Sequence, residues 1–226
     1  MTLALPLRLD FAGGWLDVPR YAIPGAFVVN CAISPLVTMV NRNTMSWDGG
    51  EAVPEGSGLG GSAAWRMLQG RDVIAEELAQ GCGWQDPSIL LETGLCVWAS
   101  GPEPVLVHKD RGDWLRGHMA LYWTGKTHDS SMIAGIDRDY REIEHASVHA
   151  AKAVQYRDLV ALGWGVNLSY MQQRDEGMLS LPLLGLARKY CGAGHGGYAV
   201  YLFEDQAQRD AAVKEKGFMA VEPYCK

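Results

Sequence analysis

The stretch of this chain best suited to chemistry is a loop of small residues, PEGSGLGGSAA at 54–64, followed by a helical pattern. Glycines let backbone N–H groups approach an anion, and a helix that starts near Ser62 turns its positive end toward the same place. The GxGxxG spacing at 56–61 matches the dinucleotide fingerprint, but the polar lead-in WDGGEAVPE is not the strand that this fingerprint requires. The P-loop pattern also fails, because no lysine follows the glycines. By itself the loop indicates either an anion cradle or a glycine-rich turn with Ser62 as the N-cap.

Two further stretches carry ionisable residues. Asp86 precedes Pro87, an arrangement typical of a helix start with the aspartate as N-cap. His145 and His149 lie four residues apart on a helical pattern. They lack the HExxH order of zinc proteases, and a solvated polar face is the favoured interpretation over a metal site.

Composition restricts the class of protein. The 226 residues are 48% hydrophobic and 20% charged, as in ordinary globular proteins. The net charge of −6 argues against a nucleic-acid partner. No apolar run is long enough for a membrane span, and Met1 is not followed by a signal-peptide pattern. Five cysteines without a CxxC favour reduced thiols, so we expect a cytoplasmic protein with no membrane partner.

The elements that would position these residues alternate between the two classes, which predicts an α+β protein. Helix is predicted over 62–80, with Gly70 dividing it, and again from Asp86 onward. Residues 101–113 are expected to be a linker. The remaining expected elements are strands at 3–10, 26–40, 38–46, 119–123 and 198–203, and helices within 130–161 and 176–190.

Three stretches, in order along the chain, resemble the motifs of the GHMP kinases, the superfamily of galactokinase, homoserine kinase, mevalonate kinase and phosphomevalonate kinase. ALPLRLDFAGGWLD at 4–17 is similar to the first motif, PEGSGLGGSAA to the ATP loop, and CGAGHGGYAVYLF at 191–203 to the third motif. The first motif and GWQDPS at 83–88 look most like the sugar-kinase branch, which includes D-glycero-D-manno-heptose 7-phosphate kinases and fucokinases. The chain would be an unusually short member.

The resemblance implies a two-domain fold with a cleft between the domains. Residues 1–112 would form an N-terminal α/β nucleotide-binding domain, and residues 113–226 a ferredoxin-like C-terminal domain. The implied activity is transfer of the γ-phosphate of Mg-ATP to a hydroxyl of a small-molecule sugar or sugar phosphate, such as heptose 7-phosphate or fucose.

Site residues follow from the same resemblance. Asp86 would accept or orient the proton of the attacking hydroxyl, with Arg8 against it. Mg²⁺ would be held by Ser62 and Glu76, with Glu77 as the fallback. ATP phosphates would lie over Gly56, Ser57, Gly58, Leu59, Gly60, Gly61, Ser62 and Ala63. The substrate would contact Gly14, Trp15, Asp17, Gly194 and His195, with weaker candidates at Arg20, Lys126 and His128.

Departures from the family pattern keep alternatives open. Gly61 replaces a serine of the usual pair, His195 replaces a glycine, and the spacing from Ser62 to Asp86 is short. One alternative is a nucleotide- or sugar-binding protein with little or no turnover. Another is a homoserine- or mevalonate-type kinase. The short spacing would leave either an open cleft or a cleft completed by a second subunit in a homodimer.

Overall fold

Two antiparallel β-sheets organise residues 3–41, 44–48, 50–127 and 136–226, which are the residues that the computed structural model describes. In the first sheet the strands run in the order β1-β2-β4-β5, and β3 and β10 also pair with β2. The second sheet has the order β7-β8-β6-β9. The strands of the first sheet are β1 (Ala4–Ala12), β2 (Phe27–Asn41), β3 (Thr44–Trp47), β4 (Leu95–Ala99), β5 (Val105–Asp110) and β10 (Glu222–Pro223). Those of the second are β6 (Met119–Trp123), β7 (Ala187–Tyr190), β8 (Tyr198–Leu202) and β9 (Phe218–Ala220).

Helices cover the sheets and connect them. α1 and α3 pack against β1, while α4 and α5 pack against each other. Because α4 also contacts β2 and α5 contacts both β1 and β7, this helix pair links the two sheets. The helices are α1 (Gly61–Leu68), α2 (Val73–Ala79), α3 (Gln85–Glu92), α4 (Tyr140–Tyr156), α5 (Leu159–Asp175) and α6 (Gln206–Ala212), with short 3-10 turns at Pro19–Tyr21 and Asp113–Leu115.

Strand β1 carries two buried charged residues, Arg8 and Asp10. Leu7 and Leu9 face the core, and alternation along a strand puts Arg8 and Asp10 on the opposite face. That face is also covered, so both charged side chains are buried. Buried charges persist in folded proteins where they are paired, and these two are paired with each other and with further partners.

The α+β class is confirmed, and so are most of the expected elements. The helix over 62–80 is divided as predicted: α1 ends before Gly70, whose φ is +78°, and α2 begins after it. Ser62 is not the N-cap of α1, because the helix begins one residue earlier and Gly60 is the cap, in a left-handed conformation.

Two expectations about elements are wrong. Residues 176–190 are not helical: α5 occupies 159–175 instead, capped by the Asp158 side chain, and Gly177, at a φ of +89°, follows its end. The expected linker at 101–113 contains β5, an edge strand whose Val105 and Val107 are exposed. An exposed apolar edge strand bounded by glycine and proline gives little periodic signal.

The proposed domain boundary at 112/113 falls between β5 of the first sheet and β6 of the second. The boundary remains a prediction, since β10 returns to the first sheet and one buried apolar cluster includes side chains from both sheets. All five cysteines are free. Among the described residues no helix has both the length and the apolar character needed to cross a membrane.

Candidate active site

A cavity of about 1100 Å³ lies where the sequence motifs meet. Its walls come from the glycine loop at 53–62, from 14–18 after β1, from 82–86 at the start of α3, and from 192–193 in the third motif. These segments are far apart in the sequence. Because they line one cavity, we interpret them as parts of a single site.

The two glycine-rich stretches pack backbone against backbone. A Cβ on Gly58 would lie 2.7 Å from the carbonyl oxygen of Cys191, and one on Gly197 would lie 2.6 Å from that of Ser57. The N–H of Tyr198 donates to the Ser57 carbonyl at 2.9 Å. Glycine is therefore required by close approach as well as by positive φ, and the third motif supports the loop at 56–61 from behind.

The loop ends at the start of α1, beside the catalytic candidates. The first N–H groups of a helix have no intrahelical acceptor, and Gly60, Gly61 and Ser62 all line the cavity. A Cβ on Gly60 would lie 3.3 Å from Arg8 Cγ and 3.4 Å from Asp86 Oδ2. The positive end of α1 and the Asp86 carboxylate thus border the same space.

Asp86 and Arg8 form a direct pair. Arg8 Nε donates to Asp86 Oδ1 at 2.7 Å, and Arg8 Nη1 donates to the Gly58 carbonyl at 2.8 Å. Burial alone would lower the pKa of Arg8, but the charges of Asp86 and Asp10 outweigh it and raise the pKa. The cation is buried, whereas the Asp86 side chain keeps 30% of its surface exposed and lines the cavity.

The interpretation of Asp86 as a helix cap is wrong. Trp84 occupies the N-cap of α3 and makes no side-chain capping bond, and Asp86 lies in the first turn with its carboxylate turned to Arg8. A carboxylate in the first helical turn is favourable with the helix dipole. Its geometry therefore fits a role in the cavity better than a role in ending the backbone.

Asp17 also lines the cavity, and its side chain is buried. It accepts hydrogen bonds from the Gln85 backbone N–H at 3.3 Å and from Gln85 Nε2 at 3.2 Å. A Cβ on Gly83 would lie 1.7 Å from Asp17 Oδ2, so this approach needs glycine. Desolvation by burial, followed by the negative charge of Asp86, raises the pKa of Asp17 to about 7, against the hydrogen bond from Gln85.

Two charged residues that sequence reasoning missed, Asp10 and Lys189, lie behind the Arg8–Asp86 pair. Asp10 Oδ1 accepts from Arg8 Nη1 at 3.1 Å and from the Gly192 N–H at 2.9 Å. Lys189 of β7 forms an ion pair with Asp10 Oδ2 and donates to the Asp10 carbonyl at 3.0 Å. Asp10 lies inside the first motif and Lys189 just before the third, which was the available signal.

No protein-family model matches the sequence, and no curated protein matches it. Solved structures do match. The mevalonate kinase of Methanococcus jannaschii aligns with a TM-score of 0.69 and 14% identity, over 99% of this chain and 98% of that chain. A D-glycero-D-manno-heptose 1-phosphate kinase from Bacteroides thetaiotaomicron gives 0.66 and 15%, over 99% and 96%. The phosphomevalonate kinase of Streptococcus pneumoniae, solved with phosphomevalonate and AMPPNP, gives 0.69 and 12%, over 99% and 100%.

The chain has the GHMP kinase fold. The resemblance carried by the three motifs is thereby confirmed at the level of the fold. At these identities the matches describe architecture, and the chemistry of the cavity depends on the residues that line it.

Within the GHMP kinase fold of this chain, the substrate candidates divide into two groups. Gly14, Trp15 and Asp17 line the cavity, but Gly194 and His195 are not among its lining residues. A Cβ on Gly194 would lie 2.4 Å from the Met178 side chain, so this glycine is tightly packed in the third motif. Trp15 has a φ of +82°, and the Arg138 guanidinium stacks on its ring at 3.9 Å from the centroid.

The metal candidates also divide. Ser62 and Glu77 line the cavity, whereas Glu76 does not and pairs with Arg66 at 3.3 Å and Arg71 at 2.8 Å. Glu77 pairs with Arg66 as well. The structure therefore brings the fallback residue, and not Glu76, to the cavity wall. In the described ranges no three His, Cys, Asp or Glu side chains form a metal cluster, and Mg²⁺ bound mainly through phosphates and water needs none.

The remaining candidates do not line the cavity, and one of them lies outside the described residues. Arg20 is exposed and stacks over Tyr21 at 4.6 Å. Lys126 is exposed, and its carbonyl accepts from the Gly197 N–H at 2.8 Å. His128 lies outside the described residues. His145 and His149 bring their Nε2 atoms to 3.1 Å on the exposed face of α4.

Proposed function

We propose that this chain is an ATP-dependent kinase that transfers the γ-phosphate of Mg-ATP to a hydroxyl of a sugar or sugar phosphate. The observation that carries the proposal is the Arg8–Asp86 pair at 2.7 Å, which lies beside Gly60 of the glycine loop and lines the same cavity as Asp17. A nucleotide loop alone would support binding. A partly exposed carboxylate, held by a buried arginine beside the start of α1, supports phosphoryl transfer.

Phosphoryl transfer depends mainly on positioning and on neutralising the charge of the transferred group. The loop at 56–62 offers backbone N–H groups and the positive end of α1, which would hold the phosphates of ATP without a lysine. Asp86 would orient the acceptor hydroxyl and take its proton, and Arg8 would keep the carboxylate in place. Mg²⁺, held by Ser62 and Glu77, would neutralise phosphate charge.

The lining residues around Asp17 favour a polyhydroxylated acceptor. The Asp17 carboxyl and the Gln85 side chain offer hydrogen-bonding groups, and Trp15 offers an aromatic ring against which the apolar face of a sugar could stack. Mevalonate and homoserine would use fewer of these groups. The homodimer, the cytoplasmic location and the absence of a nucleic-acid partner stay predictions from the sequence.

The test is a transfer assay over a panel of acceptors. Heptose 7-phosphate, fucose, galactose, mevalonate and homoserine would each be incubated with Mg-ATP, and phosphorylated product would be detected by ³¹P NMR. We expect transfer to one of the sugars. In Asp86→Asn, kcat is expected to fall by on the order of 10²- to 10⁴-fold, while the Kd of ATP stays within about threefold, because the group acts on the proton and not on the nucleotide.

The alternatives give distinct results. ATP binding without transfer to any acceptor would contradict a kinase and favour the binding protein. Transfer to mevalonate or homoserine alone would retain the kinase and overturn the sugar acceptor. An unchanged rate in Asp86→Asn would retain the kinase and remove Asp86 from the mechanism. Glu103→Gln, which changes an exposed carboxylate away from the cavity, is the matched control.

A further inference from the structure

Lys189 is buried to an unusual degree for a lysine. It lies in β7, its side chain is 3% exposed, and its Nζ contacts both the carbonyl and the carboxylate of Asp10. Lysines are almost never fully buried unless they are paired, and a buried ion pair is often no more stabilising than apolar side chains of the same volume. Stability alone gives little reason for this pair to be where it is.

Asp10 connects Lys189 to the catalytic candidates. One carboxylate oxygen of Asp10 pairs with Lys189, and the other accepts from Arg8 Nη1 at 3.1 Å. Arg8 in turn holds Asp86 through Nε at 2.7 Å. Positive and negative side chains therefore alternate in the order Lys189, Asp10, Arg8, Asp86. The first three are 3%, 1% and 4% exposed, whereas Asp86 is 30% exposed. Arg8 and Asp86 line the cavity, and Lys189 and Asp10 do not.

We propose that Lys189 is a positioning residue, which balances the charge of Asp10 and so leaves the Arg8 guanidinium free to hold Asp86. Without Lys189, Arg8 becomes the only side-chain cation on the buried Asp10 carboxylate. Charges interact strongly in a poorly solvated interior, so this competition is transmitted to Asp86 although Lys189 is not itself among the residues that line the cavity. The inference rests on the proposed function for the role of Asp86 and concerns how that residue is controlled.

Among the described residues, few other titratable groups interact with the row of four charged side chains from Lys189 to Asp86. Asp17 interacts with both Asp86 and Arg8. Cys191 interacts with Asp10, and its own pKa is raised to about 12, first by burial, so the thiol is neutral. Glu176 interacts electrostatically with Lys189, but it forms its ion pair with Arg138, at 3.2 Å. None of these groups supplies a second cation to Asp10, for which Arg8, Lys189 and the Gly192 N–H are the bonded donors described.

The proposal predicts shifts of opposite sign in the titration of Asp86. The titration would be followed by NMR of ¹³C-carboxyl-labelled aspartate, with Asp86→Asn used for assignment, so it needs no turnover. Lys189→Met removes a positive charge from the row of side chains, and we expect the midpoint pH of the Asp86 titration to rise by roughly one unit. Asp10→Asn removes a negative charge, and the midpoint is expected to fall by a similar amount. The double variant should return close to the wild-type midpoint.

Matched variants separate charge from packing. Lys189→Arg keeps the cation and should keep the wild-type midpoint, even if it loses stability. Lys109→Met removes a lysine that pairs with Glu92 at 2.9 Å away from the cavity, and it should leave the midpoint unchanged. If Lys189→Met does not fold, Asp10→Asn and the double variant carry the test. Equal midpoints in all folded variants, or shifts of one sign in both single variants, would overturn the proposal.

Turnover supplies a second readout that separates this proposal from the proposed function. With an accepted acceptor, Lys189→Met should lower kcat by on the order of 10-fold and move the acidic limb of the kcat–pH profile upward, with the KM for ATP nearly unchanged. If the wild type transfers no phosphate but the Asp86 midpoint rises in Lys189→Met and falls in Asp10→Asn, the kinase is rejected and the control of Asp86 by Lys189 is retained. If the wild type transfers phosphate but the midpoint is the same in all variants, the kinase is retained and the control of Asp86 by Lys189 is rejected.

Discussion

Asp17 is a cavity residue whose pKa lies far from its usual value. Its pKa is raised from 3.8 to about 7, chiefly because burial disfavours the carboxylate. The folded state thus binds this proton more tightly than the unfolded chain does. The contribution to stability is complete below about pH 4 and is lost as the pH rises toward 7.

Asp17→Asn should therefore gain stability relative to the wild type as the pH rises. The amide stays neutral, so between pH 5 and pH 8 the difference in unfolding free energy should grow by on the order of 2 kcal/mol in favour of the variant. Urea unfolding at the two pH values measures it, with Glu103→Gln as the control for loss of an exposed charge. A difference independent of pH would mean that Asp17 titrates normally. The substitution also changes the hydrogen bonds to Gln85, but it does so at both pH values, so this effect cancels when the two free-energy differences are compared.

Sequence reasoning identified some residues of the site and missed others for one physical reason. Arg8, Asp17 and Asp86 lie in stretches whose wording is distinctive, and the structure brings all three to the cavity. Asp10 and Lys189 look like ordinary polar positions of two strands. Their contact depends on bringing β1 of the first sheet beside β7 of the second, and local periodicity contains no information about that placement.

At the scale of elements, the backbone contact between the two glycine-rich stretches holds the nucleotide loop in shape. Gly58 has a φ of +75° and leaves 2.7 Å between a new Cβ and the Cys191 carbonyl. Gly70 has nearly the same φ, +78°, with no atom within 4 Å of the new Cβ. The two positions share the cost of the left-handed conformation and differ in the clash.

Gly58→Ala should consequently lose much more than Gly70→Ala. The conformational cost is about 1 kcal/mol at each site, and the clash at Gly58 is expected to add roughly 2 kcal/mol and to weaken ATP binding at least 10-fold. Thermal unfolding and calorimetric titration with ATP measure the two effects. Equal losses in the two variants would show that the loop does not depend on its packing against the third motif.

Elements with a strong local signal were predictable, and those defined by distant contacts were not. The apolar strands β1, β2, β6 and β8 were expected from their composition, as was the division of the helix at Gly70. The error at 176–190 arose where α5 had already ended and the chain crosses to β7 without regular structure. Leu179, Leu183 and Leu184 in that crossing are exposed, so their apolar character marked no helix face.

At the scale of the whole molecule, the chain returns to its first sheet after completing the second. Pro223 of β10 pairs with Ile33 of β2, and the Tyr224 N–H donates to the Ala32 carbonyl at 2.8 Å. The Gly94 N–H donates to the Tyr224 carbonyl at 2.7 Å. One buried cluster also runs from β1 and β2 to β6 and β8. The two proposed domains therefore share both a core and a closing strand, and a shared core predicts cooperative unfolding.

Removing residues 222–226 should destabilise both domains together. The deletion leaves backbone groups of β2 without partners and removes Glu222, which pairs with Arg209 at 2.8 Å and accepts from the Gly117 N–H at 3.0 Å. We expect a single calorimetric transition in the full chain, lowered by roughly 5–10 °C in the deletion. Lys226→Ala keeps the backbone N–H that donates to Thr93 Oγ1 and should leave the transition in place. Two separate transitions in the full chain, or a deletion that lowers only the later one, would show instead that the domains fold independently and that the cavity between them depends on docking.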